Sequence, residues 1–223
     1  LTDTFAHPAD VLPEADRDAA TKAVVLETAE RLFAEHGLRC VSVRDITTAA
    51  GVNLASVNYH FGSKDALVLE IFRRRTGELS RDRARGLHEA IHRHHGHPPV
   101  REILSALMAP PLLWSRPSHP RRTAIQFIIR ARSEGGEAVR EILRSDVSHL
   151  RPFAAALMAA LPDLPREEVY WRLHFTLGMI HNNRLAEFDR LHALSEDATR
   201  GGDAETLLNR MLDFAEAGFL RQV

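Results

Sequence analysis

The 223-residue chain has a single cysteine, Cys40, which excludes an internal disulfide and fits a reducing, cytoplasmic compartment. It has no apolar run near the ~18 residues that a membrane-spanning helix requires, so no transmembrane segment and no membrane partner is expected. Residues 1–13 lack the basic-then-apolar order of a secretory leader, and the first residue is not methionine; the sequence reads as truncated or processed. There is no Gly-rich phosphate loop and no nucleophile elbow, so neither an enzymatic activity nor a cofactor is expected. No segment sustains period-two alternation, which argues against a sheet. The chain also lacks a net excess of either charge: 29 basic and 30 acidic side chains leave −1. A protein coated in nucleic acid is thereby excluded. A small DNA-reading face is not, because only the local field at a contact matters.

What is present is a hydrophobic content of 44% against 26% charged residues, enough for a substantial helical core in one or two domains. From Arg17 to Arg75 there are nine Lys/Arg and seven Asp/Glu, a mildly basic region, whereas the first 16 residues carry four acids and no base and read as a solvated tail.

The stretch from Ser42 to Lys64 organises the rest. Ser42 is placed to cap a short helix, with Asp45 three residues on as the acidic half of a capping box. Ile46, Ala49 and Ala50 give that helix an apolar side. Gly51 stands where the chain must turn with positive φ. Asn53 is suited to cap the next helix. On it Val57 and Phe61 lie four apart on one face, and Leu54 either joins them or faces outward. The other face carries Ser56, Asn58, Tyr59 and His60, with Lys64 just beyond. An apolar back and a hydrogen-bonding front is what a helix needs to lie in a DNA major groove.

With its flanks, an amphipathic helix from Arg17 to His36 before it and Tyr59-His60-Phe61 followed by Lys64 after it, this stretch resembles the DNA-binding head of the TetR family of bacterial transcriptional regulators, from about Thr21 to Phe72. Residues 52–64 are similar to a branch of that family that includes fatty-acid-responsive repressors. The resemblance implies an all-α fold. Its parts would be a tail at 1–15, a helix-turn-helix head at 16–62, and a larger effector-binding and dimerisation domain at 63–223. It implies a repressor that binds a palindromic operator as a homodimer and is released by a small effector. The DNA-contacting positions it implies are Arg44, Asn53, Ser56, Asn58, Tyr59, His60 and Lys64. The chemistry of these side chains agrees. Asn58 suits a base edge, adenine best, and Arg44 a guanine or a phosphate. Ser56 suits either partner, and Tyr59, His60 and Lys64 suit phosphate oxygens. Where many members carry tyrosine this chain has Asn58, and where many carry Lys or Gln it has Leu54, so the operator cannot be inherited from relatives.

Downstream, Ser63 is expected to cap a long helix running towards His95. Further helices are expected at 100–108, stopped by Pro110-Pro111, then at 121–133 and at 137–161 with a bend near Pro152. The last two should run from Pro165 to about Leu191 and from Asp203 to Leu220, giving eight to ten in all. Leu173, Leu177 and Ile180, with Leu207, Met211, Phe214, Ala215 and Gly218, form apolar stripes on the last two long helices. Each stripe faces either its own core or the partner of a four-helix dimer bundle, as the resemblance implies. Leu104, Met108, Trp114, Phe127, Trp171, His174, Phe175 and Met179 are candidates to line an apolar effector pocket, with a plain core as the alternative. His88, His92, His94, His95 and His97 read as a solvated helix end rather than a metal site, and Cys40 as a small packed residue.

Overall fold

The computed structural model describes residues 14–182, 188–195, 199 and 203–221. Residues 1–13 of the expected tail, and 183–187 of the helix expected to run to about Leu191, fall outside these residues. Among them there is no strand. Eleven α-helices follow in order: α1 Glu14–His36, α2 Val43–Ala50, α3 Leu54–Phe61, α4 Lys64–Arg93, α5 Val100–Trp114, α6 Arg122–Glu134, α7 Glu137–Ser145, α8 Arg151–Ala160, α9 Arg166–Asn182, α10 Phe188–Leu194 and α11 Ala204–Leu220. A single 3-10 turn, Ser148–Leu150, precedes α8. The helical class agrees with the sequence, while three expected boundaries shift.

The first shift is at Pro110-Pro111, where α5 does not stop but continues to Trp114. A proline inside a helix removes the N–H that would bond the carbonyl four residues back. Pro111 thus orphans the Leu107 carbonyl, and Arg83 Nε on α4 donates to it at 2.9 Å. The second is at 137–161. Asp146 and Val147 leave the helical path, and the Asp146 carboxylate accepts from Ser148 N and Oγ. Pro152 lies in the first turn of a new helix, α8, where a missing N–H costs nothing. The third is at the C-terminal side: α10 runs to Leu194, three residues into the expected loop. At the other end α1 begins at Glu14, inside the expected tail.

Two apolar clusters fill the molecule. The first gathers Phe33 of α1, Ile46 of α2, Val57 and Phe61 of α3 and Phe72 of α4 with Phe127 and Ile128 of α6 and Val139 of α7. The second gathers Leu87 of α4, Leu104 and Met108 of α5, Phe153 and Leu157 of α8, Leu173 of α9 and Met211 and Phe219 of α11. Helix α4 runs through both. Leu79 belongs to the first cluster and Leu87 to the second, and Arg83, one turn from each, is buried between them. Gly86 lets α5 come close: a Cβ there would stand 3.3 Å from the Ala106 Cβ.

The head is fastened to the rest at two polar points as well. On α1, Glu30 is buried and holds Arg75 of α4 by two bonds, 2.7 Å from Nε and 2.5 Å from Nη2. Burial disfavours the Arg75 charge, but the Glu30 and Glu78 carboxylates more than offset it and keep its pKa above the usual value. At the C-terminus of α1, Gly37 adopts φ 86°, and the Glu134 carboxylate of α6 accepts from the amides of Leu38 (2.7 Å) and Arg39 (3.3 Å). A Cβ at position 37 would lie 3.1 Å from that carboxylate, so glycine serves both the turn and the approach.

Candidate nucleic-acid interface

The α2–turn–α3 unit is built by its caps. Ser42 Oγ accepts from Asp45 N (3.2 Å) while the Asp45 carboxylate accepts from Ser42 N (2.8 Å) and Oγ (2.6 Å). The Ser42 hydroxyl and amide hold the Asp45 carboxyl below its ordinary pKa. Gly51 closes α2 with φ 66°, and Asn53 Oδ1 caps α3 by accepting from Ser56 N at 2.7 Å. Ile46 and Thr47 bury the inner side of α2, and Val57 and Phe61 that of α3. Of Ala49 and Ala50, expected to face inward, Ala50 packs against the first apolar cluster, whereas Ala49 is exposed; Thr47 fills the inner position with its hydroxyl donating to Arg44 O at 2.9 Å. The preceding turn supplies a carbonyl acceptor for the threonine hydroxyl, so burial leaves its O–H paired.

The outer face presents Arg44, Leu54, Asn58 and Tyr59 to solvent, with Tyr59 78% exposed and meeting the His60 ring edge-on. Leu54 faces outward, which settles its orientation. Two expected contact residues are partly committed within the head. Asn53 Oδ1 serves as the cap, and Ser56 Oγ donates to the same oxygen at 2.9 Å, leaving Ser56 an acceptor and Asn53 its Nδ2 donor. Lys64 opens α4 next to the face, its ammonium 5.8 Å from the Phe33 ring centre. Ser63 caps that helix, Oγ accepting from Ala66 N at 3.1 Å. Amide donors and the positive end of a helix dipole therefore meet a lysine at the rim of α3, as phosphate contact requires. Asn58, exposed in mid-helix, is free for base reading. Asn58→Ala should cost specific binding about 1–3 kcal/mol and relax one base position, measured by fluorescence anisotropy over single-base operator variants; unchanged specificity would remove Asn58 from base reading.

The effector-lining candidates are not brought together. Trp114 and Phe127 are closed into the first apolar cluster and Leu104 and Met108 into the second, and Met179 packs against the latter. Trp171, His174 and Phe175 lie outside both, exposed on α9, with the Trp171 and Phe175 rings stacked at 6.0 Å. The stripe residues divide between the two alternatives. Leu173, Ile180, Leu207, Met211 and Ala215 are buried in the protomer's own core, and Leu177 packs against it. Phe214 and Gly218 alone of that set are exposed. Both helices carry apolar residues on two faces, and the inner one belongs to the core.

Of the histidines, His88, His92, His95 and His97 are exposed, and His94 ends α4 with Nε2 buried and without a protein partner. The expectation that the chain has no His-Glu-x-x-His motif is corrected: His88-Glu89-Ala90-Ile91-His92 has that spacing, which is the spacing of a zinc-protease helix. Among the described residues no group of three or more His, Cys, Asp or Glu is placed to share a metal. Cys40, expected to be packed, is exposed, because Leu38 and Val41 take the buried positions of that turn.

A capped helix-turn-helix with a polar outer face, carried on a larger helical body, defines the class: a DNA-binding transcriptional regulator. The profile described as "Bacterial regulatory proteins, tetR family" matches residues 25–71, and that described as "Tetracyclin repressor-like, C-terminal domain" matches 105–218. The chain belongs to the TetR family. It is 51% identical over 49 residues to the HTH-type transcriptional repressor KstR2 of Rhodococcus jostii, a match spanning 22% of this chain and 24% of that protein. The match thus spans about a quarter of that relative's length and falls short of its whole activity. Among solved structures, the fatty acid degradation regulator FadR of Bacillus halodurans superposes with a TM-score of 0.62 at 18% identity, covering 89% of this chain and 99% of that one. NalD, a repressor of an efflux pump in Pseudomonas aeruginosa, gives 0.58 at 20% identity, covering 93% and 100%.

Proposed function

We propose that the chain is a repressor that binds a palindromic operator as a homodimer and is released by a small, largely apolar effector. On this reading residues 16–62 read DNA, and 63–223 bind the effector and pair the two copies. The observation that carries it is the preformed α2–α3 unit, capped on both helices and backed by Val57 and Phe61, with Arg44, Asn58 and Tyr59 on its free face.

One such unit reads only a half-site; two spaced by about 34 Å read a palindrome. The exposed aromatics of α9 and α11 supply a face for pairing. For release, the effector must bind the DNA-incompetent arrangement more tightly, since equal binding shifts nothing. A route from body to head exists through α6. Phe127 packs 6.2 Å from the Phe33 ring centre, and Glu134 holds the Leu38 and Arg39 amides. A displacement of α6 thereby reorients α1 and the α3 face that packs on it.

Selection of bound DNA from a random pool tests the reading. A palindrome with half-sites about one helical turn apart is the expected product; enrichment of a single half-site, or of no sequence, would refute it. Repeating the selection with candidate small molecules tests release.

A further inference from the structure

Four basic side chains converge between the two apolar clusters. Arg83 comes from α4, Arg132 from α6, His149 from the 3-10 turn and His181 from α9. Arg83 is buried. Arg132 is exposed and the two histidines are intermediate, so the group runs from the surface to the buried Arg83. Arg132 Nη2 and His181 Nδ1 are 3.2 Å apart. Burial, then the neighbouring Arg132, lowers the Arg83 pKa to about 10. Burial, then Arg132, Arg83 and His149, brings that of His181 down to about 4. Arg83 thus feels the charge of Arg132, and both histidines feel the charge of both arginines.

No carboxylate balances the two arginines among the described residues. Asp82, next to Arg83 in the chain, is committed elsewhere: it accepts from Trp114 Nε1 at 3.2 Å, pairs with Arg121 and lies 3.5 Å from Arg85. Asp146 lies near His149 but accepts from Ser148. Arg83 uses one of its five donors, Nε, on the Leu107 carbonyl, and the bonds recorded for Arg83 and Arg132 include no acid. A buried arginine held near a second one with no anion to balance it is costly. If the role of Arg83 were only to meet the carbonyl that Pro111 orphans, a neutral donor would serve without that cost.

We infer that this cluster is a binding site for an oxyanion, a carboxylate or phosphate carried by a small effector, with Arg83 at its floor and Arg132, His149 and His181 at its mouth. The planar guanidinium of Arg83 presents paired N–H groups that match either anion. Leu87, one turn on from Arg83, and Leu107, whose carbonyl Arg83 holds, are buried in the second apolar cluster, so the apolar part of such a molecule would lie against that cluster. The site deepens the effector reading of the body and rests on it for any consequence at the operator.

The test is direct binding to the intact protein without DNA. The probes are decanoate, decyl phosphate, decanol and decyltrimethylammonium, equal in chain and different in head, followed by calorimetry and thermal shift. Preferential binding of the two anionic probes is expected, and their ratio tells carboxylate from phosphate. Arg83→Gln and Arg132→Gln should weaken anionic binding by roughly 10- to 100-fold and leave decanol unchanged. Arg132 is partly exposed, so its variant remains informative if Arg83→Gln fails to fold. Equal binding of all four probes, or anion preference retained in Arg132→Gln, overturns the assignment. Operator binding measured on the same samples separates the two readings: intact operator binding with no anion preference sinks the anion site alone, whereas loss of operator binding by the wild-type chain sinks the proposed function.

Discussion

Phe214→Asp is expected to give a folded monomer whose operator affinity falls by about two orders of magnitude or more, the size of effect that bivalency confers. The reasoning begins with exposure. Trp171 and Phe175 on α9 and Phe214 on α11 are 51%, 62% and 73% exposed, an aromatic stripe of a kind that soluble chains rarely leave to water. Gly178 and Gly218 belong to the same outer faces, and a Cβ at either would meet nothing within 4 Å, so a second backbone can approach closely there. Arg172 fixes how the two helices sit, donating from Nη1 to the carbonyls of Gly218, Phe219 and Arg221 at 2.8–3.0 Å and closing the C-terminus of α11. A buried aromatic contributes about 150–250 Å² to an interface, and a charge in its place leaves an unpaired ion there. Sedimentation velocity should show the monomer, with helical circular dichroism retained; a dimer that persists would move the interface off these helices. Met211→Asp, on the inner face, should instead unfold the body, because Met211 is part of the core.

The second large effect is on stability. Glu30→Ala should lower it by about 3 kcal/mol, since breaking a buried pair strands the remaining charge. For a chain of this size that is a fall of roughly 6–12 °C in Tm. The Glu30 side chain is 5% exposed and that of Arg75 17%, so water cannot readily replace the lost partner, although Glu78 at 2.9 Å moderates the cost. The double variant Glu30→Met/Arg75→Met should recover much of the loss, because matched apolar replacements leave no orphaned charge. Differential scanning calorimetry decides. If the single and double variants lose the same amount, the pair is not coupled. Because this pair joins α1 to α4, operator affinity in Glu30→Ala should fall before the protein unfolds.

The head was legible in the sequence because its signals are local. The Ser42–Asp45 box, the Gly51 turn, the Asn53 and Ser63 caps and the Val57–Phe61 pair each depend on residues within four positions of one another. The body was less legible because its decisions are made across the fold. Pro110-Pro111 does not end α5, since an arginine 24 positions before Leu107 meets the freed carbonyl. On α9 the inward stripe is Val169, Leu173, Thr176 and Ile180, while Trp171 and Phe175 face out. Apolar side chains on two faces give periodicity nothing by which to choose between them. Arg83 looked like one more charge in a polar run, and only packing reveals it as buried.

The apolar cluster that spans Phe33, Ile46 and Phe72 on one side and Phe127, Ile128 and Val139 on the other bears on protein engineering. A fusion cut near residue 62, placing this head on another relative's body, would sever the packing surface rather than follow a seam. The incoming α6 would have to bring complementary side chains at 127, 128 and 131, and an acid at 134 for the two amides beyond Gly37. Sensor chimaeras built from this chain should therefore be designed with α6 travelling with the head.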